Sequence, residues 1–375
     1  MERIVFIQDH LGQGGVGTVN RELIAEFRDR GYKVHNVTIF REDRVEGVKN
    51  SCLHVSGMQA ILILPFLYKL NHFFRTNQFD YVVSSKDYIN IWVIVAFRLA
   101  RCKKARLLVN SHISVSEKLK FERKPIQRWS IRCARYLYRY ADIVANVSEA
   151  ASRDSEQFFD LPKVHTLYNP VVSRGDLERK VHYPDHSFFG KGRTVIVACG
   201  RLEAQKNYDL MIRAFANALA QRRGLYLIIL GEGSLRRKLE KLIEDLGIED
   251  HVSLASFRPD PKAFMAHCDL FWLTSRFEGF GVVLVEALSV GASILSVDCP
   301  HGPSEILENG RYGRLINSFT VKDNSRALLD ALDAPRLDPR LLRRRALDFE
   351  IRVCADRYLS VLRGERVSCA KLTGD

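Results

Sequence analysis

Two stretches far apart in the chain obey the same local rule, and that rule limits the fold more than any other feature. Arg3–Gln8 (RIVFIQ) and Thr194–Cys199 (TVIVAC) are apolar runs without alternation. Each leads into a glycine-bearing turn and then an amphipathic helical pattern. Continuous apolar strands belong to parallel sheets covered on both faces, and alternating strands and helices build such sheets. Further strands are predicted at Lys33–Phe40, Phe79–Ser84, Ala105–Asn110, Asp142–Val147 and Val164–Leu167. In the second half they are predicted at Leu225–Leu230, Val252–Ser256, Leu270–Leu273 and Ser293–Val297. Residues 171–192 are polar, with Gly175, Pro184, Gly190 and Gly192, and read as a linker between α/β domains at 1–170 and 193–348. The helical pattern at 349–365 is expected to return to the first domain.

Charge separates the halves. The net charge is +13, and residues 1–180 hold 29 basic against 19 acidic side chains. Lys86–Arg139 alone holds 14 basic and 3 acidic. A basic face suits nucleic acid, an anionic membrane or a phosphorylated substrate. No nucleic-acid-binding motif accompanies it, so nucleic acid is not the expected partner. Within Lys118–Tyr140, the residues Trp129, Ile131, Tyr136, Leu137 and Tyr140 are predicted to line one helical face beside Arg128, Arg132, Arg135 and Arg139. That pattern fits an interfacial helix at an anionic membrane, and equally a core-facing helix with a solvated basic side. Ala60–Arg75 is a second candidate of the same kind. The apolar runs Ala60–Leu67 and Ile89–Phe97 are too short to span a bilayer, and the start of the chain lacks a signal-peptide pattern. The eight cysteines form no C-x-x-C pair and read as reduced thiols. The expected location is cytoplasmic, with candidate peripheral attachment at the inner face of the membrane.

The turns carry the chemistry. Gly12, Gly14 and Gly17 match G-x-G-x-x-G, which raises a dinucleotide site. The acid that such a site needs at the end of the next strand is missing, since Asn36–Phe40 stands there and Glu42 and Asp43 come late. A glycine loop at Gly14 and Gly15 that admits a substrate close to the backbone is the better reading. His112 follows the strand ending at Asn110, where open α/β sheets bind ligands. In the second half, Arg201 and Lys206 follow the first strand, and either can hold phosphate oxygens. Ser275–Gly291 (SRFEGFGVVLVEALSVG) runs from a glycine turn into an apolar helix. Such a turn aims backbone N–H groups and the positive end of the helix dipole at an anion. Glu278 precedes this seat and Glu286 lies within the helix. There is no P-loop and no Asp-x-Asp, so cations and helix dipoles must neutralise a leaving diphosphate unaided.

Cys199–Asn207, Ser275–Ala287 and Ser304–Gly310 together resemble the C-terminal domain of the retaining GT-B glycosyltransferases, the "glycosyl transferases group 1" or family-four type. The likeness is sharp over Thr194–Ile316 and looser over the first half, where the Gly14-Gly15 turn, His112 and Tyr168-Asn169-Pro170 carry it. The resemblance implies an α/β fold of GT-B architecture, with two Rossmann-like, doubly wound parallel-sheet domains facing across a cleft. It implies that Arg201, Lys206, Gly281 and Val282 bind the donor diphosphate and that Glu286 holds the ribose. Glu278, Gly279 and Phe280 would meet the donor sugar, with His112 near the anomeric carbon. Phe257 and Arg258 would support the nucleobase. The expected partners are a nucleotide-sugar donor and a glycan or lipid-linked acceptor, with no cofactor and no metal. Pro300–Pro303 before Ser304 resembles bacterial members that build surface polysaccharides and lipid-linked sugars. A sugar-nucleotide epimerase of related fold, a basic nucleic-acid-binding protein and an inactive scaffold remain as alternatives.

Overall fold

The computed structural model describes residues 1–11, 15–55, 63–121, 125–178 and 181–365. Two compact units form, Met1–Pro170 with Ile351–Asp375, and Val171–Glu350.

In chain order the first unit contains β1 (Arg3–Gln8), α1 (Gly15–Asp29), β2 (Lys33–Thr38), β3 (Lys49–Cys52), α2 (Ile63–Thr76), β4 (Tyr81–Ser85) and α3 (Asp87–Ala100). It continues through β5 (Arg106–Ser111), α4 (Val115–Phe121), α5 (Pro125–Leu137), β6 (Ile143–Asn146), α6 (Glu149–Phe159) and β7 (His165–Thr166). All seven strands are parallel, in the order β3-β2-β1-β4-β5-β6-β7. Successive side chains point to opposite faces, so both faces of a strand like β1 need cover. Ile4 and Phe6 pack with Leu23, Ile24 and Phe27 of α1, whereas Val5 and Ile7 join Phe74, Ile94 and Ile131 from α2, α3 and α5.

The basic-aromatic stretch is not one helix. Its described parts are α4, α5 opened by Pro125, and a 3₁₀ turn at Tyr138–Tyr140. The apolar side chains also divide. Ile131, Ala134 and Tyr138 are buried, while Trp129, Tyr136 and Tyr140 are exposed. The expected single apolar face is therefore corrected: at 100° per residue, 131-134-138 is one stripe and 129-132-136 another.

The second unit contains α7 (Arg174–Glu178), β8 (Thr194–Cys199), α8 (Tyr208–Gln221), β9 (Leu225–Leu230), α9 (Arg236–Asp245), β10 (Val252–Leu254), α10 (Pro261–His267) and β11 (Leu270–Leu273). After these come α11 (Val282–Val290), β12 (Ile294–Val297), α12 (Pro303–Ile306), β13 (Arg314–Ile316), α13 (Val321–Asp333) and α14 (Pro339–Ala346). Its six strands run parallel in the order β10-β9-β8-β11-β12-β13. Residues 171–192, read as a linker, group with this unit and include α7. The final helix, α15 (Ile351–Arg363), belongs to the first unit. Its Tyr358, Leu359 and Leu362 pack on the α1 side of that sheet, and Asn110 Nδ2 donates to Tyr358 Oη at 2.8 Å.

Candidate active site

Open α/β sheets bind ligands where the strand order reverses, because loops from the two flanking strands diverge there. In the second sheet that point lies between β8 and β11. The loop after β8 carries Arg201 and Lys206, and the loop after β11 carries Glu278 and leads into α11. The two loops are stitched together. Arg276 N donates to Gln205 O at 2.8 Å, Gln205 Nε2 to Phe277 O at 3.0 Å, and Thr274 Oγ1 to Lys206 O at 3.2 Å.

Lys206 Nζ lies 2.6 Å from Glu278 Oε1, and both side chains are largely buried, at 13% and 8% exposure. Ser275 Oγ donates to the same carboxylate oxygen at 2.6 Å. The ion pair thus fixes the Lys206 ammonium in place. Arg201 is exposed and makes no side-chain hydrogen bond or ion pair among the described residues, so its charge is uncompensated apart from the field of nearby Glu203. Glu203 is engaged elsewhere, accepting from Ser234 N at 2.9 Å and Ser234 Oγ at 2.7 Å.

Gly281 stands before the first turn of α11 at φ 98°, and no side chain caps that turn. The turn itself depends on a close backbone crossing. Gly302 has φ 111°, and a Cβ there would lie 1.8 Å from Phe280 O. Gly302→Ala is therefore expected to push the Gly279–Gly281 turn out of place and to cost about 1–3 kcal/mol from the dihedral alone. Thermal melting checks this; an unchanged midpoint would mean the crossing can relax freely. The Phe280 ring is buried against Phe349, with centroids 5.2 Å apart, so the ring is turned into the packing and away from the turn's outer side.

Glu286, the fifth residue of α11, is half-buried, and no hydrogen bond to its carboxylate is found among the described residues. Burial pushes this carboxyl up to about 7, against the pull of Lys262 and Lys206. Its field also reaches Cys199 at the end of β8, whose thiol burial and Glu286 together push up to about 12. Phe257 and Arg258 lie on the loop after β10, both exposed. The geometry thus places Arg201, Lys206, Glu278, Glu286 and the start of α11 around one switch point. Phe257 and Arg258 follow a strand two places further along the sheet.

In the first unit the strand order reverses between β1 and β4. Asp9 follows β1, is buried, and takes hydrogen bonds from Lys86 and Tyr88 beyond β4. Burial works to raise the Asp9 carboxyl; Lys86 and Tyr88 outweigh it and hold it below the ordinary range. Lys86 adopts a left-handed φ of 82°. Sequence reading missed these three candidate residues; their position just past strand ends, the signal that picked out His112, was available. Both ring nitrogens of His112 are shielded from solvent without a well-aligned hydrogen bond, although Asn169 weakly favours the charged form. Burial, with Lys86 second, pushes the imidazole down to about 4, so it is neutral at physiological pH. Gly15 opens α1, and a Cβ there would meet nothing within 4 Å. Gly14 lies outside the described residues.

Among the described residues no helix is long and apolar enough to cross a membrane, and no three His, Cys, Asp or Glu side chains are grouped to hold a metal.

Two families of known sequences match this chain: "Glycosyltransferase Family 4" over residues 13–173 and "Glycosyl transferases group 1" over residues 183–346. An uncharacterized glycosyltransferase of Methanocaldococcus jannaschii is 29% identical over 287 residues, covering 69% of this chain and 68% of that protein. The N-acetylgalactosamine-N,N'-diacetylbacillosaminyl-diphospho-undecaprenol 4-alpha-N-acetylgalactosaminyltransferase of Campylobacter jejuni is 32% identical over 207 residues, covering 55% of this chain. That alignment spans 53% of the Campylobacter protein, about half its length. The crystal structure of Anabaena HepE with UDP and glucose superposes with a TM-score of 0.76 over 97% of this chain and 100% of that one, at 18% identity, a likeness of fold. With both sheets parallel and doubly wound, and one family match over each half, the chain belongs to the GT-B glycosyltransferases of the group 1, family-four type.

Proposed function

We propose that this glycosyltransferase moves a hexose or N-acetylhexosamine from a nucleoside-diphosphate sugar, with UDP the first choice of nucleotide, to a glycan or lipid-linked acceptor in surface-polysaccharide or lipopolysaccharide synthesis. The observation that carries the reading is the convergence, at one switch point, of an uncompensated Arg201, the fixed Lys206 and the uncapped start of α11. Two cations and a helix N-terminus suit a diphosphate. The Glu286 carboxylate, with no hydrogen bond among the described residues, suits the two ribose hydroxyls. Phe257 offers an exposed ring to the base. Main-chain groups of Gly279–Val282 serve the sugar and the adjoining phosphate, and His112 of the first unit, neutral and without a well-aligned hydrogen bond, is the proposed contact for sugar hydroxyls. The acceptor class is supported by the relatives, one named for an undecaprenol-diphosphate-linked acceptor and another crystallised as a "lipopolysaccharide outer core galactosyltransferase".

The proposed transfer retains configuration and needs no metal. The bond from the anomeric carbon to the diphosphate oxygen breaks, and positive charge already in place stabilises the departing oxygen. The acceptor oxygen bonds to the anomeric carbon on the same face, and its proton passes to the departing phosphate. Support for this route is chemical. The sequence has no Asp-x-Asp to carry a metal beside the diphosphate, and no obvious carboxylate nucleophile.

A thermal-shift screen of UDP-, GDP- and ADP-sugars tests the donor, since a ligand at 100 times its Kd stabilises by about 2.7 kcal/mol. One nucleotide class should raise the midpoint, and the product anomer, read by NMR, should match the donor's. No stabilisation by any of them, an inverted product, or an epimer formed from donor alone would defeat the proposal.

A further inference from the structure

Helices α2, α3 and α5 form one layer on the first sheet, and they hold a single acidic residue, Asp87, which is buried. Those three helices therefore show no carboxylate to solvent; α4 and α6, which share that core, carry Glu117, Glu149, Asp154 and Glu156, and Asp142 pairs with Arg98 at the end of α3. Three aromatic residues of α5 and the turn after it face outward. Trp129, Tyr136 and Tyr140 are 48%, 65% and 53% exposed. Arg132, Arg135 and Arg139 alternate with them, exposed, and none makes a side-chain hydrogen bond or ion pair among the described residues. Trp129 leans on Trp92 of α3, with ring centroids 6.0 Å apart. The end of α3 adds exposed Leu99, followed by exposed Arg101, Lys103 and Lys104.

Tyr and Trp anchor at headgroup depth because each has an apolar body and a polar tip, and Arg keeps its head in the polar layer while its stem lies on apolar surface. A second copy of this face would bring like charge onto like charge. An exposed leucine adds apolar area that a bilayer rewards and a nucleic acid does not.

We propose that the outer face of α3 and α5 docks on a bilayer rich in anionic lipid, with Trp129, Tyr136 and Tyr140 entering the interface and Arg132, Arg135 and Arg139 holding it. This stands apart from the sugar chemistry, since it uses none of the residues assigned to the donor.

Sedimentation of the full chain with phosphatidylcholine vesicles, and with vesicles of equal phosphatidylcholine and phosphatidylglycerol, at ~0.15 M salt tests it. Binding is expected only to the anionic vesicles. The combined Arg132→Glu, Arg135→Glu and Arg139→Glu variant should lose on the order of 100-fold in partitioning, from ~1 kcal/mol per basic residue. Trp129→Ala with Tyr136→Ala should also weaken binding, with the far-UV circular dichroism unchanged. Trp129 emission should shift to the blue on anionic vesicles. Equal binding to neutral vesicles, no binding, full binding by both variants, or duplex DNA bound as tightly through the same arginines would overturn the proposal.

Discussion

Lys206→Met should lower kcat by roughly 100- to 1,000-fold, the range for losing one donor to a developing oxyanion. It should also destabilise the second unit, for a separate reason. Glu278 is buried, and Lys206 at 2.6 Å is its charged partner. Removing one member of a buried pair costs about 3–5 kcal/mol, because the remaining charge is left in a poor solvent. For a unit of this size that corresponds to a fall on the order of 10 °C in melting temperature. Adding Glu278→Gln removes the stranded charge, and Ser275 and Gln205 can still hydrogen-bond to the amide. The double variant should therefore recover most of the stability and none of the turnover. If it recovered both, Lys206 would serve only to neutralise Glu278, and its diphosphate role would be lost. Arg201→Ala offers the complementary case. Arg201 is exposed and has no ion pair among the described residues, so turnover should fall by a similar factor with the melting temperature unmoved. A double-mutant cycle in kcat and in stability separates the two contributions.

That pairing marks the limit of what the sequence makes legible. Lys206 and Glu278 each stand out alone, one beyond an apolar strand and one before a glycine turn. Their contact joins positions 72 apart, and nothing local announces it. The Asp9–Lys86 contact, spanning 77 residues, was hidden for the same reason. The central strands were readable because burial on both faces demands unbroken apolar runs. The edge strands β3 (KNSC) and β13 (RLI) escaped, being short and partly exposed, with no pattern to detect. Phe280 shows how a correct motif can mislead about a side chain. Its neighbours line the candidate site, yet its ring turns into the packing against Phe349. Trp129 and Ile131 were expected on one face, interfacial or core-facing, and they part: Ile131 turns into the core and Trp129 stays exposed.

Glu286→Gln should weaken donor binding by on the order of 100-fold while making the protein more stable, and the two effects should share one pH dependence. Burial raises the Glu286 carboxyl to about 7 from an unfolded value of 4.5. Between those values the folded chain binds more protons at this group than the unfolded chain does, so stability falls as pH rises from 4.5 to 7 and the loss is complete above 7. A shift of that size corresponds to on the order of 3 kcal/mol. Glutamine cannot ionise, so the variant's advantage in melting temperature should be absent near pH 4.5, grow across the window and level off above 7. Binding runs in the opposite direction. If the ionised carboxylate accepts both ribose hydroxyls, each charge-assisted bond contributes about 1.5–3 kcal/mol, and protonation removes the charge and turns one acceptor oxygen into a donor. Donor affinity of the native chain, measured by calorimetry, should therefore fall about tenfold per unit below pH 7, as expected when protons compete for one site. It should be flat above pH 7, and the variant should show no inflection there. A group that lowers the stability of the protein carrying it is expected where function requires an unpartnered charge. A variant that lost stability, or bound donor as tightly as the native chain at pH 8, would place Glu286 in the packing of α11 and leave the ribose without its acceptor.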